Sequence, residues 1–192
     1  MKKTNRRLVQ FTTRGVLVVM AFTAVILVVI LNRYRERRVA VEAIDHYHGT
    51  YSISVEGPSL ITSFFSDKRM FYDLGRVSFG ASRPGHDPMN LFDDNALQDV
   101  VPFLNRFPSF YKLGLDGASI TDSGLMHLTK LKNLRSLYLD MTLVTDAGLQ
   151  TLSKIDSLER VTLTGTAVTA DGVASLRTLL PGCEVVWEPI PN

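Results

Sequence analysis

Apolar residues from position 110 onward fall into three stretches that superpose at a spacing of 24 residues. The first runs Phe110, Leu113, Leu115, Ile120, Leu125, Leu128, Leu131. The second runs Leu134, Leu137, Leu139, Val144, Leu149, Leu152, Ile155, and the third Leu158, Val161, Leu163, Val168, Val173, Leu176, Leu179. Such a register describes stacked equal units rather than a globule with one centre. Within a unit the spacing changes character. Leu137-Tyr138-Leu139 alternates with period two and predicts a short strand buried on one face. Leu149, Leu152 and Ile155 follow helical spacing. Between them, Val144-Thr145-Asp146 carries a helix start, because a Thr or Asp oxygen satisfies free amides of the first turn. Gly124, Gly148 and Gly172 sit one turn in, where a missing side chain lets neighbouring turns approach.

A fourth unit precedes these, with Arg76–Gly80 as its strand and Val101, Leu104 and Phe107 in helical register. Phe79 and Val101 are 22 residues apart against 10 between Leu115 and Leu125, which places a 12-residue insertion around Gly80–Leu91. At the far end Leu180-Pro181-Gly182-Cys183 stops the last helix, since Pro lacks the amide hydrogen. Val185-Val186-Trp187 then predicts a capping strand.

The repeat resembles the L-x-x-L-x-L-x-x-T-x-V-T-D-x-G-L type of bacterial leucine-rich repeat, carried here by residues such as Leu134, Leu137, Leu139, Thr142, Val144, Thr145, Asp146, Gly148 and Leu149. That resemblance implies an α/β solenoid, with a short parallel sheet on a concave face and short helices on a convex one. Better-known repeats of the family place an Asn three residues after the strand; this chain has Ala118, Thr142 and Thr166 there. Residues 37–79 look like the region ahead of the repeats in membrane-anchored relatives. The family implies an anchored, non-catalytic domain and names no ligand.

Ahead of the repeats, the 17 residues from Gly15 to Leu31 carry no charge. Spans of about 17 to 25 residues cross a bilayer, and Asn32-Arg33-Tyr34-Arg35 is a poor cleavage site. The expected organisation is a basic cytoplasmic tail at 1–14, a transmembrane signal-anchor at 15–32, a helix–strand linker and N-terminal cap at 33–75, and the repeat domain at 76–192. It is that of a single-pass membrane protein with the repeats outside the cytoplasmic membrane. Arg33–Tyr47 reads as a helix ended by Gly49, Thr50–Val55 as a strand, and Phe64, Phe65, Phe71 and Tyr72 as an aromatic cover for the first open face.

Charge separates along the chain. Residues 1–38 hold nine of the 21 Lys and Arg and one of the 19 acidic residues, so the remainder has 12 bases against 18 acids, a balance of −6. A reader of phosphate backbones needs a positive field on its folded part, so nucleic acid is not an expected partner. His46 and His48 lack a third ligand at metal spacing. His86-Asp87 lies in the insertion without an apparent nucleophile, leaving an envelope hydrolase as a distant alternative. His127 reads as a surface residue. Asp93-Asp94-Asn95 lacks the Gly and Glu of a calcium loop and instead starts the helix Ala96–Leu104. Cys183 is the sole cysteine. No catalytic residue, metal or cofactor is assigned.

The outward strand positions are Arg76, Ser78 and Gly80; Lys112, Gly114 and Asp116; Ser136, Tyr138 and Asp140; and Arg160, Thr162 and Thr164. Of these, Lys112, Asp116, Ser136, Tyr138, Asp140, Arg160, Thr162 and Thr164 form the candidate partner-binding set, centred on Tyr138, because interfaces favour Tyr and Arg. The insertion is a second candidate. The expected function is recognition of a protein or envelope component, with the lipid bilayer engaged through residues 15–32. The alternative is a structural spacer whose concave face stays empty.

Overall fold

The computed structural model describes residues 13–47, 49–55, 72–79 and 92–189. A helix, α1 (Thr13–His46), leads into strand β1 (Thr50–Val55) and strand β2 (Tyr72–Ser78). Four strand–helix steps follow: α2 (Asp94–Leu104) and β3 (Lys112–Gly114), α3 (Asp122–Leu128) and β4 (Ser136–Tyr138), α4 (Asp146–Leu152) and β5 (Arg160–Thr162), α5 (Ala170–Leu179) and β6 (Glu184–Val186). The strands form one sheet in the order β1-β2-β3-β4-β5-β6. β1 is antiparallel to β2, and every later pair is parallel. Helices α2 to α5 pack against one another in the same order. The molecule is an α/β coil that advances one strand per turn.

The pairing keeps the 24-residue register from β3 to β5: Leu113, Leu137 and Val161 lie side by side, with Val77 before and Val185 after, all buried. One continuous core results, running from Ala40 to Val185. Val101, Leu104 and Phe107 take the helix-side positions of the turn before, as the fourth unit requires.

The helix starts explain why the repeat reads Thr-Asp-x-Gly. Thr121 and Thr145 are the N-caps of α3 and α4, and each hydroxyl accepts the amide two residues on. Thr169 caps α5 by accepting from Gly172. The same three threonines reach back to the preceding turn. Thr121 donates its amide to Asp94 Oδ1 and its hydroxyl to Oδ2, at 2.9 and 2.5 Å. Thr145 does so to Asp122 at 2.8 and 2.6 Å, and Thr169 to Asp146 at 2.8 and 2.6 Å. Each carboxylate occupies the first turn of its own helix, where negative charge is favoured. Glycine is needed because a Cβ on Gly124, Gly148 or Gly172 would collide with the carboxylate of Asp94, Asp122 or Asp146. Asp93 caps α2 by accepting from Ala96 at 2.9 Å, so this helix starts at Asp94 rather than Ala96. Thr142 and Thr166 are buried, and their hydroxyls donate within their own turn to Leu139 and Leu163 carbonyls at 2.7 and 2.6 Å.

Leu179 departs from the expected rung. It is 56% exposed, and Leu180 is buried in its stead. In the two earlier turns the chain tightens after the helix, Leu131 donating to Leu128 and Ile155 to Leu152. α5 instead continues with α-helical bonding, Leu180 donating to Leu176, so the inward position shifts by one residue.

The front of the chain differs from the reading of a membrane anchor. α1 is a single helix of 34 residues, with no boundary at Arg33. Among the described residues no helix is long and apolar enough to cross a membrane. The uncharged stretch that ends at Leu31 makes up only half of α1. The helix then continues through Arg33, Arg35, Glu36, Arg37, Arg38, Glu42 and Asp45. The structure therefore does not support a transmembrane signal-anchor, a single-pass localisation with the repeats outside, or a bilayer contact through 15–32. The second half of α1 instead covers the first turn. Ala40, Val41 and Ile44 are buried, α1 packs on α2, and Gly49 ends it by donating to the Ile44 carbonyl at 2.9 Å. Tyr47 meets Phe92 edge-on, and Phe92 stacks on Phe79. Phe64, Phe65, Phe71 and the insertion at 80–91 lie outside the described residues, as does the side chain of Tyr72.

Three substitutions test the coil. Gly148→Ala should lower stability by roughly 1–3 kcal/mol through overpacking, whereas Gly182→Ala, with open space around it, should change it little. Met141 has φ 58°, in register with Gly117 at 70° and Gly165 at 71°, and is 75% exposed. Met141→Gly should therefore raise stability by roughly 0.5–1 kcal/mol, the relief of a left-handed conformation less the added freedom of the unfolded chain. Urea unfolding midpoints measure all three.

Candidate functional site

Since Val77, Leu113, Leu137, Val161 and Val185 point into the core, the residues on either side of them face outward. One outer row is Arg76, Lys112, Ser136, Arg160 and Glu184; the other is Ser78, Gly114, Tyr138, Thr162 and Val186. Lys112 and Tyr138 join the two rows. Lys112 Nζ donates to the Tyr138 hydroxyl at 2.8 Å and stands 4.0 Å from its ring centroid. Gly114 lies between Ser78 and Tyr138 in that register and brings no side chain to the face.

Next to this pair, Arg76 Nη2 donates to the Tyr111 hydroxyl at 3.4 Å. The hydrogen bond and the charge of Arg76 pull the Tyr111 phenol below its usual range, and the same bond holds the Arg76 guanidinium more firmly protonated. Tyr111 rests beside Gly75, where a Cβ would stand 3.3 Å from its ring. A cleft of about 520 Å³ opens alongside, lined by Pro108, Ser109, Phe110, Tyr111, Asn133, Arg135, Ser136 and Glu159. The exposed Arg135–Glu159 pair at 2.9 Å borders it and also borders a second cleft of about 510 Å³ that reaches Cys183.

The eight sequence-selected residues separate by role. Lys112, Ser136 and Tyr138 come together and keep access to solvent. Arg160 lies in the same row but is already paired with Glu184 at 2.5 Å. Thr162 is 7% exposed, and among the described residues its hydroxyl has no hydrogen-bond partner. Asp116, Asp140 and Thr164 belong to the fold. The Asp140 amide donates to Asp116 Oδ1 at 3.3 Å, and the Thr164 amide donates to Asp140 Oδ1 at 2.7 Å. These carboxylates stitch one turn to the next, so they do not flank Tyr138 as free charges. Tyr111 and Glu184 were missed, though the period marks them. Tyr111 stands 24 residues before Arg135 and Glu184 24 after Arg160.

Among the described residues, no group of three or more His, Cys, Asp or Glu side chains is placed to hold a metal ion. His46 lies edge-on to Tyr47, and His48, His86 and Asp87 fall outside the described residues. Cys183 is buried, which pushes its thiol pKa up and away from reactivity.

Burial raises the pKa of Asp116, helped by the charge of Asp140 and opposed by the Asp140 amide. A carboxyl whose folded pKa lies above its unfolded one contributes most below the unfolded value and loses that contribution as pH rises through the folded value. Asp116→Asn keeps an acceptor for the Asp140 amide without the charge. Its melting temperature should exceed that of the native chain at pH 7, with the gap closing as pH falls through the carboxylate range.

No protein-family model matches the chain, and no curated protein matches it. Among solved structures it is similar to leiomodin-1 actin-binding site 2, at 14% identity over 61% of this chain and 72% of that one, with a TM-score of 0.45. A likeness that slight bears on neither mechanism nor partner.

Proposed function

We propose that the coil is a non-catalytic recognition module of leucine-rich-repeat type, which binds a partner protein on the outer face of its sheet. The observation that carries this reading is the division of labour among the outward side chains. Asp94, Asp122 and Asp146 on the helix side, and Asp116 and Asp140 after the strands, are consumed in joining turns. Among the described residues the side chains of Lys112, Ser136 and Tyr138 bond no backbone group of a neighbouring turn, and they keep access to solvent on in-register strands. A tyrosine of this kind offers large contact area at low entropic cost, and Tyr and Arg dominate the energetics of protein interfaces.

A photo-crosslinking residue at Ser136 should capture a partner protein in cells of the source organism, while one at Gln150, exposed on the helix side, should not. Tyr138→Ala should weaken the captured complex by about 2 kcal/mol, near thirtyfold. Identical products from both positions, or an unchanged product in Tyr138→Ala, would sink the proposal and leave a spacer role.

A further inference from the structure

The outer row reads Arg76, Lys112, Ser136, Arg160, Glu184 across five strands, and its charges are unevenly matched. At one end Arg160 takes the carboxylate of Glu184 from the neighbouring strand. At the other end Arg76 and Lys112 sit on adjacent, paired strands, and among the described residues neither is bonded to a carboxylate. Their partners are two phenols. In both pairs the cation is the donor and the tyrosine oxygen the acceptor, so each hydroxyl retains its own proton to give. We infer that Arg76, Lys112, Tyr111 and Tyr138 form a carboxylate-binding subsite that seats an acidic side chain of an extended peptide segment of the partner.

The chemistry favours a carboxylate over other anions. Two N–H donors and two O–H donors match the acceptor sites of one carboxylate, and charge-assisted bonds of this kind are the strong ones. The Arg160–Glu184 pair shows a carboxylate already seated in the same row, one strand from its cation. The cleft of about 520 Å³ beside Tyr111 and Ser136 gives the segment a place to lie. Arg76 and Lys112 are register partners on adjacent strands and each bonds one of the two phenols, which brings the four groups onto one patch.

This inference rests on the recognition reading, and its test separates the two. The full chain is titrated with hexaglutamate, hexaglutamine and decathymidylate, followed by amide NMR shifts and calorimetry. Hexaglutamate should bind with shifts centred on Lys112, Ser136 and Tyr138, and hexaglutamine should not. Arg76→Gln and Lys112→Gln should each weaken it about tenfold, as expected for a charge-assisted bond. Tyr138→Phe should weaken it severalfold, and Arg160→Gln should leave it within about twofold because Arg160 is already engaged. Unchanged melting temperatures would show that these exposed substitutions leave the fold intact. Equal losses from Arg160→Gln and Lys112→Gln would reveal only a diffuse positive field and overturn the subsite. Tighter decathymidylate binding through the same residues would overturn it in favour of a nucleic-acid surface. Absence of hexaglutamate binding while the Ser136 crosslink persists would overturn the carboxylate subsite and spare the recognition reading. Hexaglutamate binding with no Ser136 crosslink would uphold the subsite and count against a protein partner.

Discussion

A carboxylate handed from one turn of the coil to the threonine of the next is the constraint on which this architecture depends. Asp94, Asp122 and Asp146 each accept both an amide and a hydroxyl from the following helix start. Hydrophobic burial drives the turns together, but it is non-directional and does not specify a register. The carboxylate supplies the register, since a slip of one residue would leave a partly buried Thr amide without its acceptor. The glycine three positions after each threonine follows from geometry, as the preceding turn's carboxylate occupies the volume a Cβ would need. A second stitch, through Asp116 and Asp140, fixes the opposite side of the same turns.

Because backbone and turns are secured this way, the sheet's outer face is left free of structural duty. Its two rows are held at strand spacing, so side chains four turns apart in the coil lie on one surface. Lys112 and Tyr138 illustrate the consequence: they are 26 residues apart in the chain and 2.8 Å apart in the fold. Arg76 and Tyr111 form a like pair one strand back. A rigid surface of this type loses little entropy when it is engaged, which is the physical advantage of building recognition on strands instead of loops.

Much of this was legible in the residues. The 24-residue period placed the strands, the Thr caps and the close-approach glycines, because a periodic sequence exposes each constraint several times. Where the period breaks, inference from it failed. Leu179 kept its place in the pattern but lost it in space, since α5 carries α-helical bonding past the point where the chain tightens after α3 and α4. The anchor reading relied on an apolar run, its basic flanks and a poor cleavage site, and none of these shows that one unbroken helix joins the run to the charged residues and docks on α2. In the site, periodicity identified which side chains face outward but not which are bonded to the next turn. Asp116 and Asp140 therefore looked available, and Tyr111, one residue outside its strand, was passed over.

The stitching also has a direction. Every carboxylate belongs to the earlier turn and every donor to the later one. Peeling away the last turn returns Asp146 to water, where an ion is well hydrated. Peeling away the first would strip Thr121 of both its acceptors in a partly buried place. The chain seals the costly end with α1 and β1, and it finishes the other by inverting one pair of residues: α5 begins Ala170-Asp171 where α3 and α4 begin with Asp. With no acid at the first position, nothing is offered to a further winding. Transposing two neighbouring letters thus moves the acid of α5 one position past the place from which Asp94, Asp122 and Asp146 reach the next threonine.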